Sequence, residues 1–386
     1  MSTKLSRTIW LLSFVSLFTD MASEMLYPVM PVYLREIGFS VLMIGILEGI
    51  AEAVAGLSKS YFGGLSDRSG SRLPFVQWGY ALSAVSKPMM ALLTKPWWIF
   101  LARTTDRLGK GIRTGARDAL LSQEAAPGQK ATVFGFHRAM DTMGAVFGPL
   151  IALAFLYFFP GQYAWLFLIA FVPGVFAVLL TRLIREGQPQ PGKPQAVSLL
   201  HAFRYWKESP AQYRSLVGGL LVFALVNSSD LLLLLKVRES GYSDQQVIGL
   251  YIFYNLFYAL MAYPAGRLAD KLGMRNVFIA GLALFSLCYA GFAFQDNVYG
   301  YLVLFLCYGA YAAATEGVAK AWISGLVDRS ETATAIGTYT GFQSIAALLA
   351  SSLAGATWYA FGPALAFGIS ALVAMILCIY FLRLNR

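Results

Sequence analysis

Gly63-Gly64-Leu65-Ser66-Asp67-Arg68-Ser69-Gly70-Ser71-Arg72 and Gly266-Arg267-Leu268-Ala269-Asp270-Lys271-Leu272-Gly273-Met274-Arg275 are one pattern written twice, 203 residues apart. The same offset carries Arg35-Glu36-Ile37-Gly38-Phe39-Ser40 onto Arg238-Glu239-Ser240-Gly241-Tyr242-Ser243. Two matches in a single register make the halves of the chain copies of one unit. Each decapeptide closes an apolar run of membrane-spanning length, so the repeated unit is built from spans.

Composition leads to the same place. Of 386 residues, 58% are hydrophobic and only 13% charged, about half the charge that covers a soluble protein of this size. A membrane pass takes about 20 apolar residues, so about 12 passes nearly exhaust the chain and leave no room for a sizeable soluble domain. Apolar segments fall at about 8–34, 42–63, 74–93, 96–122, 131–158 and 163–183, and again at about 215–235, 246–266, 275–294, 297–326, 332–360 and 363–383. Lys4 and Arg7 precede the first of these as in a signal peptide, but the run is too long for a cleaved leader and reads as the first span. The expected fold class is an all-α membrane protein of twelve transmembrane helices in two pseudo-symmetric six-helix bundles. The N-terminal bundle covers 1–184, a cytoplasmic linker 185–214 and the C-terminal bundle 215–386. Gln188-Pro189-Gln190-Pro191-Gly192-Lys193-Pro194 cannot continue a helix, so the linker reads as extended.

The net charge of +10 is a matter of topology. If the first span leaves the cytoplasm, about 21 Lys and Arg fall on cytoplasmic segments and about four outside, the asymmetry that orients membrane proteins. Both termini and the linker are then cytoplasmic, in a multi-pass protein of the cell (inner or plasma) membrane, and no nucleic-acid partner is implied. Cys288, Cys307 and Cys378 stand singly in apolar runs, with neither disulfide nor metal-ligand spacing, so no metal or cofactor is expected.

Three motifs resemble those of the major facilitator superfamily, and the resemblance covers essentially the whole chain. The first is G-x-x-x-D-[RK]-x-G-x-R, present in both copies. The resemblance makes Gly63, Asp67, Arg68 and Gly70, with Gly266, Asp270, Lys271 and Gly273, a conformational latch, in which the Asp accepts from a neighbouring helix N-terminus and an adjacent base. The second is Gly135-x8-Gly144-x3-Gly148-Pro149, similar to the antiporter motif of the family. Its small residues permit close helix packing, and Pro149 bends the span. A plain packing seam would select the same glycines. The third, Ala102-Arg103-Thr104-Thr105-Asp106-Arg107-Leu108-Gly109-Lys110-Gly111, resembles A-R-x-x-Q-G-x-G-x-G, whose Arg is linked in the family with proton coupling. Arg103 takes that place. Arg107 and Lys110 depart from the pattern by adding positive charge, which speaks against a purely hydrophobic substrate.

Ionisable side chains inside spans are functional candidates unless they pair structurally. Asp20 and Glu24, and Glu48 and Glu52, are i, i+4 pairs that put two carboxylates on one helical face. Arg103, Arg107, Lys110 and Arg117 form a basic stripe with Asp106 beside it, Lys87 stands next to Pro88, and the fifth span carries His137, Arg138 and Asp141. The second half has fewer charges: Asp230, Glu316 and Lys320, with Asn227 and Tyr339 as neutral polar groups. Proton coupling is assigned to Asp20, Glu24, Arg103, Asp141 and His137, although a lone histidine near a helix start is more often a packing or hydrogen-bonding residue. Substrate binding is assigned to Arg107, Lys110, Arg138, Glu24, Asn227, Asp230, Glu316 and Tyr339.

The expected function is secondary active transport by alternating access. The direction and coupling expected are proton-coupled export, by antiport, of a small organic substrate with an anionic or zwitterionic group. A uniporter or importer of an organic anion and a lipid flippase are the alternatives. The expected partners are that substrate, protons and the lipid bilayer, with the protein a monomer. Enzymatic activity is not expected, since the sequence has no nucleophile–base or metal constellation.

Overall fold

A computed structural model of the protein describes residues 5–27, 29–187 and 201–384, which are helical with short connections and contain no strand. The first half holds α1 (Arg7–Glu24), α2 (Met30–Glu36), α3 (Val41–Ser69), α4 (Leu73–Leu92), α5 (Pro96–Glu124), α6 (Lys130–Phe158) and α7 (Tyr163–Thr181). A short helix, α8 (His201–Glu208), precedes the second half. That half holds α9 (Ala211–Ala224), α10 (Asp230–Glu239), α11 (Asp244–Leu272), α12 (Met274–Phe294), α13 (Val298–Gly325), α14 (Thr332–Phe361) and α15 (Pro363–Arg383). With α1–α2 and α9–α10 each counted as one interrupted span and α8 set aside, these are twelve spans, as the repeat requires.

The interruptions are where the structure departs from the apolar pattern. The first span, expected unbroken to about residue 34, leaves helical geometry after Glu24 and restarts at Met30 with a proline in the first turn of α2. A proline lacks the N–H an unbroken helix would need, and it is welcome at a helix start. Its counterpart in the second half breaks after Ala224 and restarts at Asp230. Ser229 caps the new helix by accepting from the Leu231 N–H at 3.3 Å. The expected extended linker is also partly helical. Its proline-rich stretch lies outside the described residues, but His201–Glu208 is a helical turn pair with Arg204 and Glu208 joined at 2.8 Å. Tyr205 is buried, and burial pushes its phenol well above the ordinary range.

Two compact units result. The first comprises residues 1–125, 140–208 and 327–341, and the second residues 126–139, 209–326 and 342–386. Inside the first, α5 packs on α3 and α4, and α7 on α1 and α4; inside the second, α13 packs on α11 and α12, and α15 on α12. The shared scheme is the structural form of the sequence repeat. Aromatic and aliphatic side chains fill the interiors. Tyr33, for example, meets Phe167 edge-on at 4.8 Å and donates to the Met90 carbonyl at 3.2 Å. The outer faces are apolar as well, with Leu372, Ile376 and Ile379 of α15 all half or more exposed, a surface suited to lipid.

Seven helices are long and apolar enough to cross a membrane by length and composition alone. The α5 helix is not among them, because Arg103, Asp106, Arg107, Lys110, Arg113, Arg117 and Asp118 all lie within it. Helix α5 is nonetheless packed against α3 and α4, which is how a charged helix is kept from lipid.

Candidate functional site

Charges on α5 are sorted by the helix each one faces. Toward α4, Asp106 is buried and ion-paired to Lys87 at 2.8 Å, with Arg103 at 4.0 Å and the Ser86 hydroxyl donating at 3.3 Å. Arg113 is buried on the same side, donating to Ser83 Oγ at 2.5 Å and lying 4.6 Å over the Tyr80 ring. Toward α3, Arg103 clasps Glu48, its Nε donating at 3.0 Å. Arg107 reaches Glu48 at 3.6 Å and Glu52 at 3.1 Å. These two carboxylates are over a third exposed at the side chain, unlike Asp106. Arg107 Nε is buried without a hydrogen-bond partner, and the exposed Lys110 has no ion pair among the described residues. The Lys110 ammonium, one turn from the Arg107 guanidinium that Glu48 and Glu52 hold, is therefore open to an anionic group.

Deeper in the first unit is a second polar network. Asp141 accepts from the Ser16 hydroxyl, to which Arg117 also donates at 3.4 Å. Arg117 is held to Asp118 by Nε at 2.9 Å. All are buried or nearly so. Such a network fixes the helices it joins when every member is satisfied.

In the second unit the charges stand among tyrosines. Arg138 is ion-paired to Glu316, donates to Tyr258 Oη at 2.5 Å and lies 5.4 Å over the Tyr258 ring. Asp230, the first residue after the α9–α10 interruption, accepts from Tyr254 Oη at 2.9 Å and Tyr308 Oη at 2.5 Å. Tyr254 stacks on Tyr258 at 6.4 Å and meets Tyr308 at 5.1 Å. Asn227 lies in the interruption itself, and its Oδ1 is buried without a partner. Interrupted helices at matching places in two repeats are the usual mark of a binding region, since only there is irregular backbone tolerated at membrane depth.

The motif loops pair aspartates with helix starts. Asp67 accepts from the N–H groups of Ala333 (3.3 Å) and Thr334 (2.6 Å) and from the Thr334 hydroxyl (2.7 Å) at the start of α14. Asp270 accepts from the N–H groups of Ala131 (3.0 Å) and Thr132 (2.7 Å) at the start of α6. A carboxylate there satisfies orphan donors and meets the positive end of the helix dipole. The base on Asp67 is Arg72, not its neighbour Arg68, which is exposed, as is Lys271. Gly63 and Gly266 press on the Ala333 and Ala131 carbonyls, where a Cβ would collide. Gly70 has a positive φ of 70° and Gly273 one of 92°.

The residues singled out by sequence thus divide by unit. Asp20, Glu24, Arg103, Arg107, Lys110, Asp141 and Tyr339 belong to the first, and His137, Arg138, Asn227, Asp230 and Glu316 to the second. His137 and Tyr339 are buried. Arg103 and Arg107 are ion-paired to Glu48 and Glu52, and Glu24 adds to the field at Arg107. Tyr254, Tyr258 and Tyr308 were not anticipated as partners of charge. The signal for two of them was present in the i, i+4 spacing of Tyr254 and Tyr258, but tyrosine on an apolar helix reads first as packing.

Twelve spans in two repeats, with charges kept inside the helix packing, define a multi-pass membrane transporter. The model of the Major Facilitator Superfamily matches residues 12–253 and 216–386. An uncharacterized MFS-type transporter of Methanocaldococcus jannaschii is 31% identical over 381 residues, covering 97% of this chain and 94% of its own. The multidrug resistance protein MdtH of Photorhabdus laumondii is 23% identical over 285 residues, covering 72% and 68%. Among solved structures, the human organic anion transporter MFSD10 superposes with a TM-score of 0.80 at 15% identity, over 97% of this chain and 99% of that one. The chain belongs to the major facilitator superfamily.

Proposed function

We propose that this transporter exports a small organic substrate carrying an anionic or zwitterionic group, in exchange for protons. The observation that carries the reading is the Arg107–Lys110 face. An ammonium without an ion pair lies one turn from a guanidinium held by two carboxylates that are over a third exposed. With the substrate's anionic group on Arg107 and Lys110, the Glu52 carboxylate beside them takes the cationic group of a zwitterion. Protonation of Glu52 removes that counter-charge and releases the substrate, and substrate bound there keeps the carboxylate deprotonated. Proton and substrate therefore compete for the same carboxylate, which is the thermodynamic requirement for exchange. In the first unit Asp20, Glu24 and Asp141 are the further acids assigned to proton coupling, and Tyr339 to substrate contact. In the second unit His137 is assigned to proton coupling, and Arg138, Glu316, Asp230 and Asn227, among the tyrosines of α11 and α13, to substrate contact. The MdtH relatives, named for multidrug resistance, support the outward direction.

Alternating access and the latch role of Asp67 and Asp270 belong to the same proposal. The test is uptake into inverted membrane vesicles across an organic-anion panel. An imposed pH gradient, acid inside, accelerates uptake, and a protonophore abolishes the acceleration. Equal rates with and without the gradient would sink proton exchange.

A further inference from the structure

At the end of the second motif copy, the second unit contains a cavity of about 800 Å³ whose lining includes Leu272, Arg275, Trp322, Leu326, Tyr380 and Arg383. Its volume lies within the range of about 300–1,000 Å³ that small ligands fill. The cavity is placed where α11 ends, α12 begins and α15 ends, at the termini of the apolar spans Met274–Phe294 and Pro363–Arg383. At that depth hydrocarbon gives way to headgroups, and Trp, Tyr and Arg are the side chains suited to the boundary.

Neither Arg275 nor Arg383 has an acidic partner within 4.0 Å among the described residues. Arg275 spends one N–H on the Leu384 carbonyl at 3.1 Å, and four of the five donors of a guanidinium remain. The repeat shows that this is a departure rather than a default. Arg72, at the matching place in the first copy, is closed on Asp67 and donates to the Arg329 carbonyl at 2.7 Å. In the second copy Asp270 is occupied by the Ala131 and Thr132 N–H groups, and Arg275 is turned into the cavity instead. The walls are held in place. Tyr380 Oη donates to the Ser215 carbonyl at 2.8 Å, and the Trp322 ring packs 6.2 Å from Phe278 and 6.1 Å from Phe381.

We propose that this cavity binds the headgroup of an anionic phospholipid, its phosphate on Arg275 and Arg383 and its glycerol backbone against Leu272, Leu326 and Trp322. Two permanent guanidinium charges match the phosphodiester, and the apolar wall matches the part of the lipid that a free phosphate lacks.

The full-length protein in phosphatidylcholine nanodiscs, titrated with brominated phosphatidylglycerol, tests the assignment through tryptophan quenching. Brominated phosphatidylglycerol quenches a component that Trp322→Phe removes, and brominated phosphatidylcholine at the same mole fraction does not. The double variant Arg275→Gln, Arg383→Gln weakens the effect about 30-fold, whereas Lys95→Gln, at the start of α5, leaves it unchanged. Equal quenching by the two lipids overturns the proposal, and this comparison needs only the wild-type protein and Trp322→Phe should the double variant fail to fold. Displacement of the lipid by millimolar inorganic phosphate also overturns it, by making the cavity a site for a soluble anion.

Discussion

Single side chains in this protein differ mainly in whether their charge is already spent. Asp106 and Lys87 are buried against one another. Glu48 and Glu52 hold their arginines at a partly exposed edge. Glu52→Gln removes one competitor for Arg107 without changing shape. Exchange is then expected to lose most of its dependence on the pH gradient, while substrate counterflow persists; a pH profile of both activities checks it. Asp106→Asn, by contrast, leaves Lys87 charged in a dry setting and is expected to cost about 3–5 kcal/mol of stability, visible as poor yield and early unfolding in detergent. The two latch aspartates give a parallel contrast. Asp67 neutralises the buried Arg72 and satisfies two N–H groups, so Asp67→Asn falls in the same 3–5 kcal/mol class of about that size. Asp270 is half-buried and takes N–H groups alone, so Asp270→Asn costs about 1–3 kcal/mol. Thermal unfolding of the two variants side by side measures the difference, and equal losses would mean that Arg72 contributes nothing.

Helices come close in this fold where glycine allows it. On α6, Gly144 and Gly148 are one turn apart, and an added Cβ would stand 2.5 Å from the Leu17 carbonyl and 2.7 Å from that of Met21 on α1. Neither neighbour is a flexible side-chain tip, so Gly144→Ala and Gly148→Ala are expected to cost about 1–3 kcal/mol each and to lower transport further, since α1 leads into the first interruption. Gly355 on α14 faces open space, and Gly355→Ala is expected to stabilise by about 0.4–1 kcal/mol. Unfolding midpoints that move the same way for all three would exclude close packing as the reason for the motif. The elements themselves were largely readable beforehand, since twelve apolar runs and a repeat at fixed offset are properties of composition along the chain. The interruptions after Glu24 and Ala224 were not, because hydropathy counts side chains and is blind to a backbone that turns within an apolar run. Helix α8 was hidden by the prolines before it. The site was half legible for a similar reason: i, i+4 spacing says that Glu48 and Glu52 share a face, but only packing says that this face meets Arg103 and Arg107. The tyrosine cluster around Asp230 required the fold.

Across the whole molecule, the distribution of charge is the remaining guide to how the chain lies in its membrane. The Asp67 and Asp270 loops and the α4–α5 and α10–α11 connections fall on opposite sides if every span crosses once. The Lys and Arg tally then assigns Arg35, Lys95, Lys236 and Arg238 to the outer face. Lys236 is there engaged by Asp296 of the α12–α13 loop at 2.7 Å, and hydrogen bonds from Lys236 and Ser240 hold the Asp296 carboxyl below its usual range. Asp296 is exposed and the pair contributes little to stability, so its use is as a topological marker. In a background with Cys288, Cys307 and Cys378 replaced by Ser, Asp296→Cys is expected to react with a membrane-impermeant maleimide in intact cells, and Gly187→Cys only in inverted vesicles. The contrast depends on the basic residues rather than on the helices, because the same spans could insert in either sense. Labelling of Gly187→Cys from outside would invert the orientation. It would also turn the proposed exporter into an importer with every intramolecular contact unchanged.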